Sequence, residues 1–175
     1  MDFHELRQEF IPPNLDQRIS NLTEATMSNQ TNSYEIPSDR AYDRENHMWA
    51  QYDSANGNVT VGIDTLGLAS LGDLAYVTLK HVGATVQRGQ SMGTLEAAKM
   101  TGDLIAPVSG VIVARNDETV NNPALVNQSP YEDGWMVVIK PSDWENESAQ
   151  LVSGDDLPAW VDAEFQRYKM QGWID

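Results

Sequence analysis

From Tyr42 onward apolar and polar positions alternate in short runs, the two-residue period of strands with one buried face. Residues 49–63 alternate on both sides of Asn56-Gly57, a strong hairpin signal, and predict two antiparallel strands. Residues 64–71 read as a helical turn or short helix, with Asp64 or Thr65 as its cap, Leu68 and Leu71 facing inward, and Gly72 ending it. Further strands are expected over 73–79, 82–86, 108–114 and 134–140, with a polar loop around Pro123 over 116–127. Many short strands with glycine at their turns predict a mainly β chain, a small barrel or sandwich.

One stretch, residues 92–110, stands out within this pattern. Leu95 and Ala97 on one side, and Leu104 and Ala106 on the other, flank a polar centre, while Gly102 and Pro107 would interrupt a helix. Two strands joined by a tight turn therefore fit better, and they place Lys99 at or beside the tip with its amine in solvent. Such a lysine is either an ordinary solubilising residue or an attachment point whose position the ladder behind it fixes. Glu96 and Asp103 bracket it, as a solvated hairpin face or as marks that a ligase reads.

Both ends of the chain depart from strand periodicity. Phe3, Leu6, Phe10 and Ile11 have rough helical spacing, Pro12-Pro13 stops it, and a polar run over 23–33 follows. Residues 1–40 are thus expected to be an N-terminal extension, partly helical or flexible. Over 157–170 apolar residues recur at Trp160/Val161, Phe165 and Tyr168, with Pro158 near the start and Gly172 beyond the end. An amphipathic helix packed on the barrel fits this segment better than a membrane-surface helix, because its polar face carries little positive charge.

Composition narrows the function. A net charge of −15, from 26 acidic and 11 basic residues, argues against nucleic-acid binding and against anionic membrane surfaces. With no cysteine the chain has no thiol chemistry of its own, so any redox pair must come from a cofactor. His4, His47 and His81 are scattered, without metal-site spacing, and His47 and His81 read as ordinary surface or half-buried histidines. Phosphate-binding glycine loops, a His-Glu-x-x-His motif and a serine elbow are all missing from the sequence. No apolar run is long enough to span a bilayer and the first residues do not read as an export signal, so a cytoplasmic protein without membrane insertion is expected.

Several segments in order carry a family resemblance: residues 71–77 (Leu-Gly-Asp-Leu-Ala-Tyr-Val), 95–99 (Leu-Glu-Ala-Ala-Lys), 106–110 (Ala-Pro-Val-Ser-Gly), 125–127 (Leu-Val-Asn) and 129–141. The chain resembles the glycine cleavage H-proteins and their lipoate-binding relatives from about Tyr42 to Trp144. The resemblance implies a flattened lipoyl-domain β-barrel, a barrel-sandwich hybrid with short flanking helices and a C-terminal helix. It implies a carrier barrel over 41–145, a helical tail over 146–175 packed on it, and lipoic acid amide-linked to Lys99. The chain would then be a non-catalytic carrier, modified by a lipoate-protein ligase and moving intermediates between partner enzymes on a swinging arm.

Two local departures bear on what the arm carries. H-proteins usually read Glu-Ser-Val-Lys at the lysine where this chain has Glu96-Ala-Ala-Lys99, and His-Glu-Trp where it has His47-Met48-Trp49. A thioether cannot pair with an ammonium as a carboxylate can, so Met48 at an arm-end pocket suits a neutral load better than an aminomethyl group. Together with the long N-terminal extension, these departures are similar to the lipoate-binding proteins of heterodisulfide-reductase-like sulfur oxidation, which imply sulfur intermediates and a heterodisulfide-reductase-like partner complex. The alternative is a glycine cleavage H-protein working with the P, T and L proteins. A biotinyl carrier fits Met100 but not Ala98, and an unmodified partner-binding barrel is the remaining reading.

Overall fold

The structure, a computed structural model, describes residues 34–175. The helix expected near the N-terminus and the polar run after it lie outside those residues.

Among the described residues nine strands form two antiparallel sheets. β1 (Ala41–Tyr42), β2 (Met48–Tyr52), β3 (Val59–Ile63), β9 (Val137–Pro141), β8 (Gly110–Arg115) and β5 (Thr85–Val86) lie in that order in the larger sheet. β4 (Leu74–Leu79), β6 (Ser91–Ala97) and β7 (Thr101–Ile105) form the smaller one. The inward positions of the two sheets share one core, in which Val59, Val61, Met92, Ile112 and Ile139 are wholly buried. The inward face of the strands leaves water, and in β1 and β2 the opposite face is covered too, at Tyr42 and Trp49.

Short helices close the ends of the sheets. α1 (Thr65–Leu71) starts on Asp64, whose carboxylate accepts from the Gly67 N–H at 2.8 Å, and stops at Gly72. The expected polar loop over 116–127 instead contains two helical turns, α2 (Asp117–Asn121) and α3 (Ala124–Gln128). Asn116 caps the first of these, and its amide also donates to the Asp133 and Trp135 carbonyls at 2.8 and 2.7 Å. Those two carbonyls are thereby engaged by a side chain, and the last strand begins at Val137 rather than Gly134. The expected strand over 82–86 shortens to its last two residues.

The C-terminal segment carries α4 (Trp144–Ser148), which periodicity alone does not predict, and then α5 (Leu157–Met170). α5 buries Leu157, Trp160 and Tyr168 on one face. Leu157 and Trp160 join Tyr42, Trp49 and Val152 in a second apolar cluster. α5 is thereby fixed to β1 and β2.

Candidate functional site

β6 and β7 pair in antiparallel register, and Ala98, Lys99 and Met100 connect them. Ala97 N–H donates to the Met100 carbonyl at 2.9 Å, closing the turn. Two more main-chain bonds tie the tip to the end of α1: Ala98 N–H to the Asp73 carbonyl at 2.9 Å and Lys99 N–H to the Leu71 carbonyl at 3.0 Å. Between those acceptors Gly72 has φ 77°, and a Cβ there would sit 3.3 Å from the Ala98 Cβ. Both the backbone angle and the close approach favour glycine. Asn127 pins this loop from the other side, accepting from Leu74 N–H at 2.9 Å and donating to the Gly72 carbonyl at 3.1 Å.

Lys99 is exposed, but its amine does not simply extend into solvent as a hairpin-tip lysine is expected to. Nζ lies back on α1 and donates to the Ala69 carbonyl at 3.0 Å. A helix leaves its last carbonyls without partners, and a cation there meets the negative end of the helix dipole. The amine thus rests on an exposed bond that breaks at little cost. Glu96 and Asp103 are both exposed; Glu96 pairs with Thr101 across the ladder, and Asp103 accepts from Ser91 Oγ at 3.1 Å.

Beside the hairpin lies an open cleft of about 250 Å³, lined in part by Met48, Leu95, Met100, Arg167, Tyr168 and Trp173. Met48, named from the sequence as an arm-end position, is itself 2% exposed and forms part of the cleft's inner surface. Its neighbour His47 corrects an expectation. This histidine is 3% exposed, neither on the surface nor half-buried, and makes two short contacts to carboxylates. Nδ1 lies 2.9 Å from Asp64 and Nε2 lies 2.9 Å from Glu164 on α5, which also pairs with Arg167. The ring is packed between Trp160 and Tyr168 at centroid distances of 5.4 and 5.3 Å. Burial alone would lower the pKa of His47, but hydrogen bonds and charge from Asp64 and Glu164 outweigh it and hold the value above the ordinary histidine range. Burial likewise opposes ionisation of Glu164, and Arg167 with His47 overcomes it, leaving its carboxyl below the usual range.

Glu164 is a residue that the periodicity passes over. It stands four residues after Trp160 and four before Tyr168, so a carboxylate occupies the middle of the apolar stripe. That interruption is the signal that would have marked it. Among the described residues no group of histidine and carboxylate side chains has metal-binding geometry, and no helix is long and apolar enough to cross a membrane.

Fold and site together define a small β protein that presents one lysine at a rigid hairpin tip beside an open cleft. The glycine cleavage H-protein family profile matches residues 40–164, and the chain belongs to that family. It is 42% identical over 109 residues to the glycine cleavage system H protein of Anaeromyxobacter sp. strain K, covering 62% of this chain and 83% of that one. With the H protein of Marinobacter nauticus it shares 40% identity over 130 residues, 74% of this chain and 98% of the relative. A solved H protein from Mycobacterium marinum superposes with a TM-score of 0.61 at 34% identity, covering 73% of this chain and 98% of the other.

Proposed function

We propose that this chain is a lipoyl carrier of the glycine cleavage type, with lipoic acid amide-linked to Lys99 and no catalytic residues of its own. The tip geometry carries the reading: Lys99 is exposed, its backbone is held by bonds to Leu71 and within the turn, and its amine needs to give up only one bond. A ligase that acylates one lysine gains from such a fixed backbone, because less freedom is lost on docking. Family membership supports the cofactor, since glycine cleavage H-proteins carry lipoamide on a lysine. The residues around the tip fit the group. Amide formation removes the lysine charge, and Met48, Leu95, Met100 and Trp173 offer apolar surface to an arm whose end is a hydrocarbon-bound disulfide. When attached, lipoamide supplies the redox pair that the cysteine-free chain lacks.

The curated relatives favour the P, T and L proteins of glycine cleavage as partners. A lipoate-protein ligase would attach the arm, with Glu96 and Asp103 on the exposed hairpin as the marks it reads, in a cytoplasmic setting. One observation favours a second reading, carriage of sulfur intermediates for a heterodisulfide-reductase-like complex: Met48 gives the cleft's inner surface a thioether where a carboxylate would hold an ammonium. Loading the lipoylated protein with glycine and the P protein separates the two. Efficient aminomethylation supports glycine cleavage; failure that Met48→Glu repairs supports a different load.

A further inference from the structure

We propose that His47 is the positioning residue of the cleft: bridging Asp64 and Glu164 as an imidazolium, it holds α5 so that Arg167, Tyr168 and Trp173 form a wall of the cleft, and loss of its proton releases that wall. The wall stands whatever the chain carries; only its effect on an arm rests on the lipoyl reading.

With both carboxyls ionised, the contacts require the charge: a neutral imidazole has one N–H and one lone pair, so with both ring nitrogens 2.9 Å from carboxyl oxygens one contact would set a lone pair against an anion. Burial pushes the Asp64 carboxyl up, and the hydrogen bond and charge of His47 oppose that rise. His47 also adopts φ 55°, a left-handed backbone that a non-glycine residue keeps only when its surroundings impose it. Those surroundings close in from two helices. A Cβ on Gly67 of α1 would come within 2.8 Å of the His47 Cβ, so α1 packs there through a glycine. From α5, Trp160, Glu164 and Tyr168 all meet the imidazole, placing it against three successive turns.

Every charged group facing the ring belongs to one balanced set. Asp64 approaches from the α1 cap, and Glu164 with its partner Arg167 approaches from α5; with His47 protonated, two cations meet two anions. Burial first, and the Asp64 charge to a lesser degree, push the hydroxyls of Tyr42, Tyr131 and Tyr168 toward their neutral forms. Removing the His47 proton leaves two largely buried carboxylates against one guanidinium, and of the two carboxylates only Glu164, on α5, reaches solvent at all. Repulsion is then relieved by moving α5. The wall follows directly, because Arg167 and Tyr168 lie on that helix and Trp173 is held by it, through an N–H bond to the Tyr168 carbonyl at 3.0 Å and an edge contact with the Tyr168 ring at 5.0 Å. Since the His47 value is raised, the wall opens as pH rises through a point above the ordinary histidine range.

The unlipoylated chain serves for the test, by NMR of the His47 ring together with amide exchange of residues 167–173 from about pH 6 to pH 10. Protection factors are expected to fall at least about tenfold as the ring loses its proton, with a midpoint that follows His47. In Glu164→Gln the midpoint is expected to move to lower pH, because one anion that holds the proton is gone. If the ring titrates while protection over 167–173 stays constant, or if the exchange midpoint ignores the Glu164→Gln shift in the ring, the proposal is overturned. Should that variant fail to fold, the wild-type titration alone decides. Intact mass of the chain from its native host tests the lipoyl reading separately, so failure of one leaves the other standing.

Discussion

On one side of the cleft Lys99 is placed by main chain; on the other Tyr168 and Trp173 are placed through buried side-chain charge. The hairpin tip depends on N–H groups of Ala97, Ala98 and Lys99 bonded to carbonyls, none of which titrates. The α5 wall depends on His47, Asp64 and Glu164, each of which can change charge. A carrier needs its attachment point constant under all conditions and can afford a wall that responds. The two kinds of bond meet those needs, because backbone ladders are insensitive to pH while a buried ion network is held only as long as its charges balance.

That division can be broken at each side in turn. The largest effect on function is expected from Lys99→Arg, which abolishes modification outright while shifting stability by no more than about 0.5 kcal/mol, because the side chain is exposed; intact mass and urea denaturation check the two halves. The largest effect on stability is expected from Asp64→Ala, which removes the α1 cap and leaves His47 with one carboxylate. A loss of about 3–5 kcal/mol in urea unfolding is the expected result. Asn127→Ala strips the Gly72 loop of two bonds and should cost about 1–3 kcal/mol. It should slow ligase-dependent modification of Lys99 yet leave amide exchange in α5 unchanged, and altered α5 exchange would mean that the two sides are not separate. The smallest effect is pH itself. His47 has a raised folded value, so its contribution is full below the ordinary histidine range and is lost as pH rises through the folded value; the urea midpoint is expected to fall between neutral and alkaline pH in the wild type, and less so in Glu164→Gln.

The tip was legible in the sequence and the wall was not. Leu95, Ala97, Leu104 and Ala106 alternate around Lys99, and this local pattern dictates a hairpin whichever way the rest of the chain folds. Asp64 and Gly72 likewise delimit α1 by their own chemistry. The His47 network joins residues 17 and 117 positions apart, and nothing local to His47 says that a carboxylate from α5 will meet it. Glu164 could have been suspected only as a charge in an apolar stripe. The amine of Lys99 on Ala69 was hidden for a similar reason, since that acceptor comes from another element thirty positions away.

The most direct measurement of the central claim is the intact mass of the protein purified from its native host, with fragmentation to locate any adduct. One lipoyl group is expected, on Lys99 and no other lysine. An unmodified Lys99, or a biotinyl group in its place, would contradict the claim.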